Sequence, residues 1–242
     1  MEVSPKVHLI SGVIANVYLV IDADGLTLID AGLPGSEKKI LNYVQECGYA
    51  PKDLRRIIVT HADTDHVGGL GALKHLSGAR VYASAIEAAA VSHGRSSRQA
   101  QPAQLARRLL LMLSRGLFRP RPVEVDQIVA EGETLPILGG LQVIETPGHS
   151  PGHISLFSPS TGILFTGDSI IARAGRLTGS VPAYTWDAEK AAASVRRQAA
   201  LSARVVCPGH GMVVTDAAVQ LASLLRPVAG RAKLRAQVAP EA

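Results

Sequence analysis

The stretch THADTDHVGG, residues 60–69, places two histidines and two aspartates within six consecutive positions, from His61 to His66. It directly follows the apolar run IIV at residues 57–59, which is typical of a buried β-strand. Imidazole and carboxylate groups are side chains that coordinate divalent metals, and adjacent glycines let the backbone turn sharply. This cluster at a strand end indicates a metal site, provided that distant residues complete it.

Candidate ligands recur in similar loops elsewhere in the chain. They are His149 and His153 in TPGHSPGH, Asp168 in TGDS, His210 in CPGHG, and Asp30 at the end of LTLID. Five of the eight histidines thus belong to strand-end loops, a distribution that chance does not explain. Burying so many imidazoles and carboxylates without a metal would cost a great deal of desolvation energy. The set therefore predicts a metal-binding centre.

The first half of the chain follows the order hairpin, acid, helix, strand, histidine. Strands are predicted over residues 17–21 and 26–30, and a helix from Ser36 to about Cys47. The strand RIIVT, residues 56–60, then leads to His61. Apolar runs that do not alternate are typical of sheets covered on both faces. This half is therefore expected to form a buried sheet with helices on its outer face.

The second half repeats this order of elements. Strands are predicted over residues 153–158 and 163–166, and a helix from Asp187 to Ala200. The strand RVVCP, residues 204–208, then leads to His210. Two such αβ layers, facing each other, would bring both sets of strand ends to one shared cleft.

The composition is typical of a single compact domain. The 242 residues are 47% hydrophobic, and 25 Lys+Arg against 20 Asp+Glu give a formal net charge of +5. This excess is too small to indicate a nucleic-acid partner, so we expect a small-molecule substrate. We expect one α/β (α+β) domain over residues 1–225 and a C-terminal tail over residues 226–242.

Three features indicate a cytoplasmic protein. Cys47 and Cys207 are too few and too far apart for a disulfide framework, which fits a reducing compartment. The first residues lack the positive start and small-residue cleavage site of a signal peptide. No apolar run reaches the roughly 20 residues that a membrane-spanning helix needs. Nothing in the sequence indicates an oligomeric state.

Residues 86–122 belong to neither half and are predicted to form an arginine-rich helical insert. Apolar residues recur within it at helical spacing: Leu105, Leu109, Met112, Leu113 and Leu117. Such a stripe usually packs on the domain. It would also suit a lid over an apolar substrate, or a helix over residues 102–118 that lies on a membrane surface.

The motifs HADTDH, TPGH, TGD and PGH, in that order and preceded by LIDAG, resemble those of the metallo-β-lactamase superfamily. The resemblance covers nearly the whole chain outside the insert and the tail. It implies a four-layer αββα sandwich and a centre for two divalent metal ions. The family pattern assigns His61, His149 and the position of Asp63 to the first metal, Asp65, His66 and His210 to the second, Asp168 to both, and Asp30 and His153 to supporting roles.

Asp63 departs from the family pattern, which usually has a histidine at this position. Two divalent ions bring four positive charges, and three carboxylates with one bridging hydroxide bring four negative charges. The centre would then be neutral, whereas a histidine would leave one positive charge. Zinc is the expected ion. An oxygen-richer, neutral centre makes iron or manganese competitive with zinc. Flavodiiron proteins, which belong to the superfamily that this chain resembles, also have a carboxylate at this position. Aspartate also reaches less far than histidine, so the first metal could be loosely bound, water-bridged or absent.

The resemblance implies hydrolysis by a hydroxide that bridges the two metals, with Asp65 and Asp168 as catalytic carboxylates. The expected substrate is a small ester, lactone or thioester. Two alternatives stay open: a phosphodiesterase or RNA-processing nuclease that uses the arginines of the insert, and a non-haem di-iron redox protein. Tyr184 is a candidate substrate-binding residue, and the alternative is that its ring packs against the helix that follows.

Overall fold

The computed structural model describes residues 1–11, 13–98 and 120–225. The strands are β1 (Glu2–Ser4), β2 (Val7–Ile10), β3 (Val17–Asp22), β4 (Gly25–Ile29), β5 (Leu54–Ile58), β6 (Arg80–Ala83), β7 (Gln127–Ile128), β8 (Thr134–Leu135), β9 (Leu141–Glu145), β10 (Ile154–Ser158), β11 (Ile163–Gly167), β12 (Ile170–Arg173), β13 (Arg176–Gly179), β14 (Val205–Pro208) and β15 (Val214–Thr215). The α-helices are α1 (Ser36–Glu46), α2 (Thr64–Val67), α3 (Leu70–Ser77), α4 (Ala85–Val91), α5 (Ala188–Ala199) and α6 (Ala218–Leu224). Short 3-10 turns cover Pro51–Asp53 and Pro182–Tyr184.

Two mixed sheets form the centre of the molecule. The first has the strand order β1-β2-β3-β4-β5-β6-β7, antiparallel from β1 to β4 and parallel from β4 to β7. The second has the order β15-β14-β11-β10-β9-β8, in which β11 and β14 are parallel and the other neighbours are antiparallel. Strands β12 and β13 form a separate antiparallel ribbon.

Neighbouring residues of the central strands contribute to different hydrophobic clusters. Leu19 of β3 packs with residues of α1, α3 and α4, whereas Val20 packs in a cluster shared by the two sheets. Phe165 of β11 belongs to that same shared cluster, whereas Leu164 packs with residues of α5 and α6. Because side chains alternate along a strand, each sheet is buried on both faces. The predicted four-layer αββα sandwich is confirmed.

The repeated order of the two halves is also confirmed, with small shifts in the strand ends. Strand β5 ends at Ile58 rather than Thr60, because the backbone N–H of Thr60 donates to the side chain of Asp30, at 2.8 Å, instead of to a neighbouring strand. Strand β4 ends at Ile29 because Asp30 has a φ of 65°, which lies outside the extended region of regular strand backbone. Both shifts lie beside the candidate ligands.

Helix α4, at the start of the predicted insert, packs Ala88, Ala90 and Val91 into the cluster below the first sheet. The apolar stripe predicted over residues 102–118 and the tail predicted over residues 226–242 lie outside the described residues. Within the described ranges, no helix combines the length and the apolar character needed to cross a membrane.

Candidate metal centre

The candidate ligands meet where strands of the two sheets end. His61 comes three residues after the end of β5, and Asp30 directly after its parallel neighbour β4. Asp168 directly follows β11, and His210 comes two residues after its parallel neighbour β14. Because parallel neighbours end at the same edge of a sheet, each pair delivers its side chains to one side of the sandwich. The two edges face a common cleft, as the repeated order predicts.

His61, Asp63 and His149 form one group of possible ligands, whose donor atoms all lie within 4.8 Å of one another. His149 Nε2 is 3.2 Å from Asp63 Oδ2, and His61 Nε2 is 3.6 Å from the same oxygen. All three residues are buried. We call this group the first position.

Asp65, His66 and His210 form a second group that meets the same 4.8 Å criterion. His210 Nε2 is 3.2 Å from Asp65 Oδ2. His66 is fully buried, whereas about a third of each of the other two side chains is accessible to solvent. We call this group the second position.

Asp168 lies between the two positions. Its Oδ1 is 3.4 Å from His66 Nε2, and its Oδ2 is 3.4 Å from His210 Nε2, so it borders the second position. The same Oδ2 is 3.7 Å from His149 Nε2, which belongs to the first position. A single carboxylate is therefore placed to serve both groups.

Four buried atoms of this cluster have no hydrogen-bond partner among the described residues. They are His61 Nε2, His66 Nε2, His149 Nδ1 and Asp168 Oδ1. Buried polar atoms are normally paired, because an unpaired one costs about 1–3 kcal/mol. A divalent cation would satisfy three of these four atoms, the Nε2 lone pairs of His61 and His66 and the Asp168 oxygen, at the same time. The residues present therefore fit the metal centre that the sequence predicts.

Asp30 and Thr60 orient two of the candidate imidazoles. His66 Nδ1 lies 2.7 Å from Asp30 Oδ2, and Thr60 Oγ1 donates to the same oxygen at 2.8 Å. Thr60 Oγ1 can then accept from His61 Nδ1, 3.0 Å away. Both rings would carry their proton on Nδ1 and point the Nε2 lone pair into the cleft.

His153 supports the centre from behind rather than facing it. The backbone N–H of Asp168 donates to His153 Nε2 at 3.0 Å, so this nitrogen is an acceptor. The other ring nitrogen lies 2.8 Å from Thr146 Oγ1. Burial holds the pKa of His153 well below its usual value, which keeps the ring neutral.

Opposite charges set the protonation of the second position. Burial lowers the pKa of His210, but contacts with Asp168 and Asp65 outweigh it and raise the pKa to about 9. Burial is likewise outweighed at His66, where Asp30 and Asp168 hold the pKa well above the usual value. Before metal arrives, these two imidazoles hold protons at neutral pH, so metal uptake must displace those protons.

Arg98 forms an ion pair with Asp63. Its Nη2 donates to Asp63 Oδ2 and its Nη1 to the backbone carbonyl of Tyr184. The sequence-based charge count at the centre omitted this guanidinium. In the metal-free protein the charge of Asp63 is therefore already balanced by a guanidinium. Which metal the centre prefers stays a prediction.

Glu87 is a buried residue of the site that sequence reasoning missed. Its Oε2 accepts from the backbone N–H of Ala62 at 2.9 Å. Its Oε1 accepts from Ser150 Oγ at 2.6 Å, Ser97 Oγ at 2.8 Å and the backbone N–H of Gly152 at 3.0 Å. The carboxylate thus ties the loop of His61 to that of His149. Its only sequence signal was a lone acid in the alanine-rich run AIEAAAV.

Tyr184 lies at the end of the short turn Pro182–Tyr184, and its side chain is exposed. Its backbone carbonyl accepts a hydrogen bond from Arg98, whose guanidinium is paired with Asp63. The packing alternative, in which the ring is buried against the following helix, does not fit this exposure.

The family model described as "Metallo-beta-lactamase superfamily" matches residues 10–210 of the chain. The chain is 30% identical to the probable metallo-hydrolase YflN of Bacillus subtilis, over 88% of this chain and 87% of that protein. It is 32% identical to a hydroxyacylglutathione hydrolase of Cereibacter sphaeroides, over 72% of this chain but only 54% of that protein.

Solved structures show the same fold. A metallo-beta-lactamase family protein of Thermus thermophilus, TTHA1429, superposes with a TM-score of 0.73 at 26% identity and covers 92% of this chain and 79% of that chain. TTHA1623 in a di-iron-bound form superposes with a TM-score of 0.65 at 29% identity and covers 88% of this chain and 95% of that chain.

Proposed function

This chain belongs to the metallo-beta-lactamase superfamily, and from that membership we propose that it is a metal-dependent hydrolase of a small ester, lactone or thioester. The observation that carries the proposal is the set of buried, unpartnered ligand atoms around Asp168. A relative that hydrolyses hydroxyacylglutathione, as its name states, supports a thioester as one of the substrates.

In this proposal His61, Asp63 and His149 hold one metal ion, and Asp65, His66 and His210 hold the other, with Asp168 between them. The ions, when bound, lower the pKa of water from about 15.7 toward 7 and polarise the acyl carbonyl. The contact between His66 and the Asp30 carboxylate, and that between His61 and the Thr60 hydroxyl, keep the Nε2 lone pairs of both rings directed at the centre.

Asp65 is the ligand carboxylate that is best placed to move a proton. Its side chain is 30% exposed, against 11% for Asp63 and 12% for Asp168, so it borders the open side of the cleft. It can accept the proton of the attacking water there. From this open side of the cleft the proton can pass to the leaving group.

Tyr184 completes the proposed cleft at its open rim. Its exposed side chain could contact the substrate while its carbonyl holds Arg98. The protein is proposed to work in the cytoplasm, since the thiols of Cys47 and Cys207 are both free.

The proposal is tested on protein purified without added metal. Elemental analysis is followed by a panel of chromogenic ester, lactone, thioester and phosphodiester substrates. We expect bound metal and cleavage of at least one acyl substrate, and a loss of at least about 100-fold in kcat/KM for His66→Asn and Asp168→Asn, because ligand loss exceeds the usual 10- to 100-fold effect of supporting residues. His75→Asn, which changes an exposed histidine, is the control. Full turnover in both ligand variants would refute the assignment.

A di-iron redox protein is the second candidate, because the structural neighbour TTHA1623 is described in a di-iron-bound form. Iron as the bound element, with an iron absorption spectrum and no acyl cleavage, would favour this function over hydrolysis. No comparable observation favours a nuclease. Of the insert arginines that could bind phosphate, Arg107, Arg108, Arg115 and Arg119 lie outside the described residues, Arg98 is paired with Asp63, and Arg95 and Arg121 are exposed.

A further inference from the structure

The first metal position contains a fixed positive charge of the protein itself. Oδ2 of Asp63 is the oxygen nearest to His61 and His149, at 3.6 and 3.2 Å. The same oxygen accepts from Nη2 of Arg98, and its partner Oδ1 accepts from Ser96 Oγ at 2.8 Å. Both oxygens of this carboxylate therefore already accept a hydrogen bond, and the donor to Oδ2 is a positively charged guanidinium.

Several contacts place the guanidinium there. Arg98 also donates to the backbone carbonyl of Tyr184, so its two terminal nitrogens have different partners. The neighbouring Ser97 donates to the buried carboxylate of Glu87 at 2.8 Å, which anchors the segment that carries Arg98. The Asp63 and Arg98 side chains are only 11% and 22% exposed, so solvent screens the pair much less than a surface pair.

The second position has no comparable pairing. Among the described residues, the side-chain carboxylates of Asp65 and Asp168 are within ion-pair distance of histidines, and of no lysine or arginine. A cation entering the second position therefore meets no lysine or arginine among the described residues, whereas a cation entering the first position has to displace or repel a guanidinium. A guanidinium cannot be neutralised by losing a proton at any ordinary pH.

We propose that Arg98 competes with the metal at the first position, so that the two positions differ in affinity and the first fills only when the guanidinium leaves Oδ2 of Asp63. The inference rests on the proposed metal centre and adds to it the order in which the positions fill. It assigns Arg98 a role in setting metal occupancy rather than in contacting the reacting atoms.

The test is a zinc titration of metal-free protein against a competing chelator, which gives two dissociation constants independently of activity. His210→Asn isolates the first position, and His149→Asn isolates the second. We expect Arg98→Ala and Arg98→Gln to tighten zinc binding at the first position by about 10- to 100-fold, the range that a hydrogen bond to a charged group represents. Binding at the second position should not change. Arg95→Ala, which removes an exposed arginine of the same segment, should change neither constant.

Two different failures are distinguishable. If zinc binds but both Arg98 variants leave the first constant unchanged or weaken it, Arg98 does not compete, and the metal centre stands without it. If wild-type protein already fills both positions with equal affinity, the inference is likewise wrong. If neither position binds zinc, cobalt, iron or manganese in any of these proteins, the proposed function itself fails. The thermal unfolding of each variant is measured as a control for retention of the fold.

Discussion

At the scale of single residues, a second set of buried groups fixes how the candidate ligands point. Asp30 contacts His66, and the Thr60 hydroxyl contacts His61. Glu87 accepts hydrogen bonds from the loops that carry His61 and His149. Glu87 accepts four hydrogen bonds and lies at zero solvent exposure. All four partners donate a hydrogen bond to it, so the site requires a carboxylate, in which both oxygens accept.

The donor pattern around Glu87 predicts the effect of removing one oxygen. In Glu87→Gln the amide nitrogen would face a donor, most directly the N–H of Ala62, and leave it unpaired. We expect a loss of about 1–3 kcal/mol in the free energy of unfolding, measured by urea denaturation, and weaker zinc binding at the first position. Glu46→Gln, at an exposed end of α1, should change neither quantity. Equal stability of the two variants would contradict the bracing role of Glu87.

At the scale of elements, helix α5 is docked against the loop that carries His149. The backbone N–H groups of Trp186 and Asp187 donate to the carbonyl of Gly148 at 2.9 and 3.0 Å. Asp187 then caps the helix, because its side chain accepts from the backbone N–H groups of Glu189 and Lys190. The start of α5 and the position of His149 are thus set by one contact.

That docking requires a glycine at position 148. Gly148 has a φ of 136°, and a Cβ there would come within 2.2 Å of the backbone nitrogen of Ala191. We expect Gly148→Ala to lower the melting temperature more than Gly78→Ala does. Gly78 also has a positive φ, of 75°, but nothing lies within 4 Å of its missing Cβ. Both substitutions place a Cβ on backbone with positive φ, but only Gly148→Ala also forces a contact with helix α5. Equal shifts would show that the contact with α5 contributes nothing.

At the scale of the whole molecule, folding brings acids and histidines together and raises the pKa of some histidines while it lowers the pKa of others. In the metal-free protein His210 has a pKa of about 9 against an ordinary 6.5, and the pKa of His66 is raised as well. The protonated rings stabilise the fold fully below pH 6.5, and this contribution is lost as the pH rises toward 9. His153 has the opposite effect, because its pKa is lower in the folded protein than in the unfolded chain. Its contribution to stability is therefore lost as the pH falls below 6.5.

We therefore expect the melting temperature of metal-free protein to decline between pH 6.5 and 9. His210→Asn should reduce that decline, while His75→Asn should leave it intact. Zinc should abolish it, because a bound metal keeps its imidazole ligands deprotonated throughout this range. Differential scanning calorimetry in the presence and absence of a chelator measures all three effects. A melting temperature of the metal-free protein that rises toward pH 9 would contradict this account.

Local sequence patterns were sufficient to predict most of the strands and the candidate ligands of this molecule. Apolar runs such as IIV and VVC, with glycines and polar residues after them, indicated buried strands that end in candidate ligands, and the order of motifs indicated the sandwich. These signals are local because side-chain periodicity and turn chemistry act over a few residues. The positions of His61, Asp65, His66, His149, Asp168 and His210 in one cluster followed from that order.

The sequence by itself therefore determined the layers, the repeated halves and the set of candidate ligands. Only the tertiary structure decided which charges meet across the cleft. Arg98 lies 35 positions from Asp63, and Glu87 lies 63 positions from Ser150, separations at which no periodicity links the partners. An ion pair or a buried hydrogen bond depends on distances of a few ångströms, and those distances are set by how whole layers pack.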